Sequence, residues 1–306
     1  MAARAPAVFG RSARLPSTVG SGGLQQALLQ IDEDDAFSTG FAQGPVPVRH
    51  SLVDHPLLTL DAIAELADAL PDVSVERHRA DLPVLMPGGA PEVVGPPSET
   101  IRGIQTNNCW MVLWYLEQRA EYRELLDSVL DQAEMHIGNR DGGMQRREAF
   151  LFISAPNATT PVHVDPEHNF LLQILGEKDM NVCEWDDRDA EQRELDRYHD
   201  GGHRNLDTMP RRCTTFRLTP GGGVYVPPWR PHWVQNSDAV SISLSITFRT
   251  AVSERAERVH IVNSYLRRLH IHPRPPGASV RADRAKETVF LARNRLRGAS
   301  KPSHKG

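Results

Sequence analysis

The stretch TTPVHVDPEHNFLLQILGEK, residues 159–178, constrains the fold more than any other part of the chain. TTPVHVD alternates in the manner of a strand, NFLLQIL reads as a second strand, and Gly176 marks the turn after it. Side chains two apart on an extended strand emerge on one face, so His163 and Asp165 project together. A neutral imidazole and a carboxylate suit a borderline transition metal. A second histidine from a distant strand would complete a two-histidine, one-carboxylate face with coordination positions left open. His232, in GGGVYVPPWRPHWVQ just before the strand-like SISLSITF, is the candidate.

An isolated HxD is common by chance, and the surrounding residues decide its meaning. TPVHVD, then NFLLQILGEK, then GGVYVPPWRPHWV resemble the cupin-like, JmjC-related iron(II)- and 2-oxoglutarate-dependent oxygenases. Within that family they resemble especially the branch of the asparaginyl hydroxylase that acts on hypoxia-inducible factor. The resemblance spans mainly residues 149–249. It implies iron(II) on His163, Asp165 and His232, and 2-oxoglutarate and O2 as cosubstrates. It also puts Thr160 and Lys178 at the far carboxylate of 2-oxoglutarate, Asn169 in the same pocket, and Thr247 near it. The chemistry agrees, because an ammonium and a hydroxyl can hold a remote carboxylate by charge-assisted and neutral hydrogen bonds. A lysine after a glycine turn is otherwise a solvated charge, and only its register after NFLLQILG argues for the pocket.

Length and composition set the outer bounds. The 306 residues allow a buried core and a substrate cleft. Hydrophobic residues at 40% and charged residues at 24% describe a globular chain, and a formal net charge of -4 gives no general bias toward nucleic acid. Cys109, Cys183 and Cys213 lack CxxC spacing and predict neither a disulfide framework nor a zinc site. A reducing, cytoplasmic location fits them. The basic, small-residue-rich beginning of the sequence lacks the apolar core of a secretory signal, so an organellar leader is the alternative. No stretch has the length of a membrane span.

Five segments are expected: a flexible 1–23, helical and strand additions over 24–148, a catalytic core over 149–250, C-terminal helices over 251–297 and a tail over 298–306. LQQALLQI predicts a short helix, and Pro45 and Pro47 a surface connection. LLTLDAIAELADALPD predicts a helix with Leu60, Ile63, Leu66 and Leu70 on one side and Pro71 at its end. His50 and His55 read as loop or capping residues. SVERHRADLPVLMPGG suggests an edge strand and a turn, and PEVVGPPSE has too many prolines for internal pairing. CWMVLWYLEQRAEYRELLDSVLDQA predicts one long helix. AFLFI is a buried strand, and DDRDAEQRELDRYHDGGHRNLD a solvated helical insertion that shapes access to the site. Gln173 is either a site residue or an internal sheet residue. In SISLSITFRT the residues Ser243, Ser245, Thr247 and Arg249 share one face, but alternation alone does not show which face is inward. After it an amphipathic helix bears Val259, Val262, Leu266 and Leu269, and another covers 281–297. These helices cap the barrel or form a homodimer interface.

The expected architecture is therefore mainly β with α additions, built on a double-stranded β-helix, the cupin or jelly-roll core. The expected activity is hydroxylation of a protein or peptide side chain, or of a small-molecule C–H bond, with release of succinate and CO2. N-demethylation by the same oxidative chemistry, a zinc or manganese cupin, and a non-catalytic cupin-like binding protein are the competing readings.

Overall fold

The structure is a computed structural model, which describes residues 27–31, 36–88 and 95–296. The segments 1–23 and 298–306, and the first four residues of PEVVGPPSE, lie outside the described residues. In chain order the elements begin with β1 (Leu29–Gln30), α1 (Ala36–Gly40), β2 (Val46–His50), α2 (Leu60–Ala69), β3 (Val75–Arg79), α3 (Pro97–Arg102), β4 (Cys109–Leu113) and α4 (Ala120–Ile137). The barrel strands follow as β5 (Gln145–Ser154), β6 (Thr159–His163), β7 (His168–Leu175) and β8 (Lys178–Cys183). After the helix α5 (Arg188–His199) come β9 (Cys213–Leu218), β10 (Gly222–Val226), β11 (His232–Asn236) and β12 (Ser241–Arg249), then α6 (Ala251–Arg268) and α7 (Val280–Leu296).

The strands form an eight-stranded sheet in the order β1-β2-β10-β7-β12-β5-β4-β3 and a four-stranded sheet in the order β6-β11-β8-β9. All recorded strand pairs are antiparallel. Consecutive barrel strands alternate between the sheets except for β8 and β9, which pair as neighbours in the smaller sheet, and this is the double-stranded β-helix expected from the motifs. Alternation along each strand then sorts the side chains. On β12, Leu244, Ile246 and Phe248 join a core shared with Leu172 of β7, Ile63 and Leu66 of α2, and Leu126 and Leu130 of α4. Each such fully buried side chain contributes roughly 1.5–3 kcal/mol. The opposite face of the same strands looks into the space between the sheets, where Leu171, Met180, Val182, Leu218, Val224 and Val234 close one end.

Several local expectations change. Leu29–Gln30, read as part of a helix, pairs with β2, and Pro47 lies inside β2 with its ring exposed. Residues 109–133 are not one helix: Cys109–Leu113 is a fully buried strand between β3 and β5, and the helix starts only at Ala120. The break is at Tyr115, held in the left-handed region at φ 59°, ψ 54°. A buried apolar strand and an apolar helix segment have the same composition, so periodicity could not separate them. The α6 stripe is also narrower than expected, since Val259 is fully buried whereas Leu269 is 69% exposed.

Other expectations match. Thr59 caps α2, and Pro71 follows the last turn. His55 caps the short 3-10 turn Pro56–Leu58, and β3 lies at the edge of its sheet. Among the described residues no helix is long and apolar enough to cross a membrane.

Cys183 and Cys213 were not expected to pair, yet they form a disulfide directly across the β8–β9 ladder. Their separation of 30 residues hides the contact from any spacing rule. Cys109 is a buried free thiol.

Candidate functional site

β6 and β11 are neighbours in the four-stranded sheet, with His163 directly opposite His232. Asp165 lies two residues past His163, just beyond the strand, and its main chain is pinned because Trp229 N donates to the Asp165 carbonyl at 2.7 Å. Asp165 Oδ2 stands 3.5 Å from His163 Nε2 and 3.4 Å from His232 Nε2. The ligand-capable atoms of these three residues all fall within 4.8 Å of one another.

Both imidazoles are held in the tautomer that ligation needs. His163 Nδ1 lies 2.8 Å from the Pro161 carbonyl oxygen and His232 Nδ1 lies 2.9 Å from that of Arg230. A carbonyl oxygen only accepts, so each Nδ1 carries the proton and each Nε2 presents a lone pair toward Asp165. Burial, and secondarily His232, bring His163 down to about 4, so it is neutral at pH 7. Burial alone would raise the Asp165 carboxyl, but His163 and Arg204 outweigh it and hold the group well below the ordinary carboxylate range. Two neutral nitrogens and one anionic oxygen, converging on one point, fit an octahedral divalent transition metal with positions to spare.

A cavity of about 480 Å³ opens between the sheets beside this cluster. Thr160 of β6, Asn169 of β7, Lys178 of β8 and Thr247 of β12 all line it together with His163, Asp165 and His232, so the candidate metal and cosubstrate residues reach one chamber. Lys178 is 3% exposed, and its ammonium has neither an ion pair nor a hydrogen bond among the described residues. Burial lowers it to about 7. The Thr247 hydroxyl is likewise buried without a hydrogen-bond partner among the described residues. Asn169 accepts from the Ser245 hydroxyl at 2.8 Å, which orients its amide. An unpaired buried cation beside unpaired hydrogen-bonding groups is costly unless a ligand completes it, and an anionic ligand does so.

The inward face of β12 is now defined. Ser245 and Thr247 line the cavity, Ser243 donates to Gln173 at 2.6 Å, and Arg249 pairs with Glu167 and Glu257. Gln173 is fully buried and also donates to the Leu175 and Gly176 carbonyls and to the Ser241 hydroxyl, so it is an internal sheet residue.

Sequence reasoning missed one part of the cavity wall. Trp114, Tyr115 and Phe150 gather there, with ring centroids 4.9 to 6.2 Å apart, beside Glu148 and Glu167. Burial, with Glu148, Glu167 and Glu117 nearby, pushes the Tyr115 hydroxyl up to about 12. It also missed Arg204, whose Nη1 donates to Asp165 Oδ1 at 3.0 Å. Nothing local marks Arg204 among the many charges of its segment.

Residues 138–255 match the family model described as the JmjC domain. No curated protein matches the chain. The fold is similar to the X-ray structure of E. coli YcfD, at 18% sequence identity and a TM-score of 0.54, over 90% of this chain and 70% of that one. It is also similar to YcfD, a ribosomal oxygenase from Escherichia coli, in complex with cobalt and 2-oxoglutarate, at 17% identity and a TM-score of 0.51, over 90% of this chain and 69% of that one. The complex of that protein with cobalt and succinic acid gives 18%, 0.50, 90% and 69% in the same terms. Residues 138–255 are thus similar to the JmjC domain, and within them the double-stranded β-helix brings His163, Asp165 and His232 together as a two-histidine, one-carboxylate cluster able to hold a metal ion.

Proposed function

We propose that this protein hydroxylates a C–H bond of a protein or peptide side chain, with 2-oxoglutarate and O2 as cosubstrates and succinate and CO2 as co-products. One observation carries the reading: the triad and the unpaired Lys178 ammonium face the same chamber from three neighbouring strands of one sheet. His163, Asp165 and His232 would hold iron(II), which supplies the oxidative chemistry when bound. Lys178 and Thr160 would bind the far carboxylate of 2-oxoglutarate, with Asn169 and Thr247 completing its polar surround. The chamber's walls exclude water and fix the orientation of the cosubstrate, and its open mouth receives the substrate.

A protein or peptide substrate is supported by the likeness to the E. coli ribosomal oxygenase, whereas the narrower placement with the asparaginyl hydroxylases rests on motif resemblance alone. N-demethylation remains the second reading because Trp114, Tyr115 and Phe150 stand together beside Glu148, a surround that suits an N-methylated cation. Formaldehyde release separates it from hydroxylation. Leu269, Val280, Val289 and Leu296 on or beside the C-terminal helices are exposed, which supports a homodimer, testable by sedimentation.

Anaerobic titration with iron(II) and 2-oxoglutarate tests the chemistry. The expected result is a metal-to-cosubstrate charge-transfer band that requires all three triad residues, and succinate formation once O2 is admitted. A folded protein that forms no such complex would overturn the proposal and leave a non-catalytic binding protein.

A further inference from the structure

The polar insertion between β8 and β9 ends on the metal ligands. After α5 the chain turns back along β6: Val164 N donates to the Arg204 carbonyl at 3.2 Å and Leu206 N to the Val162 carbonyl at 2.9 Å. Asn205 bridges His163 in antiparallel register, so this segment pairs along the outer edge of the strand that carries the first ligand. The segment is itself tied down, because Asn205 Nδ2 donates to the Met86 and Gly88 carbonyls and Arg197 Nη1 donates to that of His203.

That backbone placement sends the Arg204 guanidinium into the cavity wall, 6.0 Å from the Trp114 ring. Asp165 then divides its two oxygens between different partners. Oδ1 accepts from Arg204, while Oδ2 alone faces both histidine Nε2 atoms. A fixed cation beside a dication site opposes metal binding electrostatically. Packing alone does not require it, since an apolar side chain of similar length would fill the same wall.

We propose that Arg204 is a positioning residue of the metal centre. By occupying Oδ1 it restricts Asp165 to one ligating oxygen and withdraws electron density from it, so that a coordination position which a chelating carboxylate would take stays free. The assignment rests on the triad being the metal site, but not on the identity of the cosubstrate.

The test compares wild type, Arg204→Met and Arg204→Lys, each checked by thermal melting, with cobalt(II) as the probe. In Arg204→Met the freed carboxylate chelates in place of a bound water, so the visible cobalt bands change in position and intensity. Under anaerobic iron(II) and 2-oxoglutarate, the charge-transfer band of this variant moves to longer wavelength, because the carboxylate donates more strongly. Arg204→Lys, which can still hold one oxygen, restores both signals toward wild type. Should Arg204→Met not fold, Arg204→Gln, without charge, is measured in its place and is expected to fall between the two. A folded neutral variant with unchanged cobalt spectrum and unchanged cobalt affinity would overturn the proposal, as would weakened 2-oxoglutarate binding with unmoved bands. If wild type forms no complex with 2-oxoglutarate, the oxygenase reading fails, while the cobalt comparison still decides the role of Arg204.

Discussion

His232 Nε2 stands 3.4 Å from Asp165 Oδ2, although β7, β8, α5, β9 and β10 lie between them in the chain. The contact is made by backbone pairing, since β11 lies against β6 with His232 opposite His163. Ligand replacement therefore removes a donor without removing the ladder that holds it. His163→Ala, Asp165→Ala and His232→Ala are expected to keep the far-ultraviolet circular dichroism of wild type. Each should lose cobalt(II) or manganese(II) affinity by more than the roughly 10–100-fold that follows loss of an outer partner of a ligand. Calorimetric metal titration checks this, and wild-type affinity in any one variant would remove that residue from the triad.

The first ligand pair was legible because HxD on a strand is a local geometric statement, and His232 because its segment is bounded by turn residues and a following strand. Thr160, Asn169, Lys178 and Thr247 needed the family resemblance, since each is an ordinary polar residue in its own neighbourhood. Arg204 was illegible for a different reason. It sits in a segment rich in charges, and only the return of that segment along β6 distinguishes it from Arg193 or Arg197. Cys183 and Cys213 were hidden by the same kind of long-range pairing. The face of β12 was legible as an alternation but not as a direction, because both faces of that strand are buried.

The β7–β8 turn offers a stability test. Gly176 has φ +69°, and a Cβ there would lie 2.1 Å from the Val240 carbonyl oxygen, which is main chain and cannot swing away. Left-handed conformation alone costs an L-residue roughly 1–2 kcal/mol. Adding the clash, Gly176→Ala is expected to destabilise the fold by about 2–4 kcal/mol, read as a lowered midpoint in urea. Because the turn leads directly into Lys178, weakened 2-oxoglutarate binding should accompany it.

Glu148 and Glu167 both line the cavity, beside Trp114, Tyr115 and Phe150. Burial, then Glu117, raises the Glu148 carboxyl, and burial, followed by Asp165 against the opposing Arg249, raises that of Glu167. Glu167 is paired with Arg249, whereas Glu148 has no ion-pair partner among the described residues. The cavity should therefore prefer basic to acidic peptides. The preference should weaken as salt rises, since the Debye length falls from about 10 Å at 0.1 M to about 3 Å at 1 M. Glu148→Gln should narrow the difference at low salt while leaving metal binding as in wild type. Fluorescence anisotropy with a pair of labelled peptides of opposite charge measures it, and equal binding of the two by wild type would refute the expectation.

Lys178 gives the sharpest pH signature. Burial brings its ammonium from 10.5 to about 7. Between those values the unfolded chain holds a proton that the folded chain has released, so this residue makes stability rise with pH across the window. Cosubstrate binding runs the opposite way. A carboxylate placed against Lys178 favours the charged form, so above about pH 7 the protein must take up a proton to bind 2-oxoglutarate. Affinity should then fall with rising pH by at most about tenfold per unit. Titration calorimetry at pH 8.5, in buffers of differing ionisation enthalpy, should show an uptake approaching one proton from this group. Lys178→Met should abolish that uptake, weaken 2-oxoglutarate binding and leave the empty protein more stable than wild type near pH 7, where the buried ammonium is a net cost. An affinity that stays flat from pH 7 to 9, with no proton uptake, would place the far carboxylate elsewhere in the chamber.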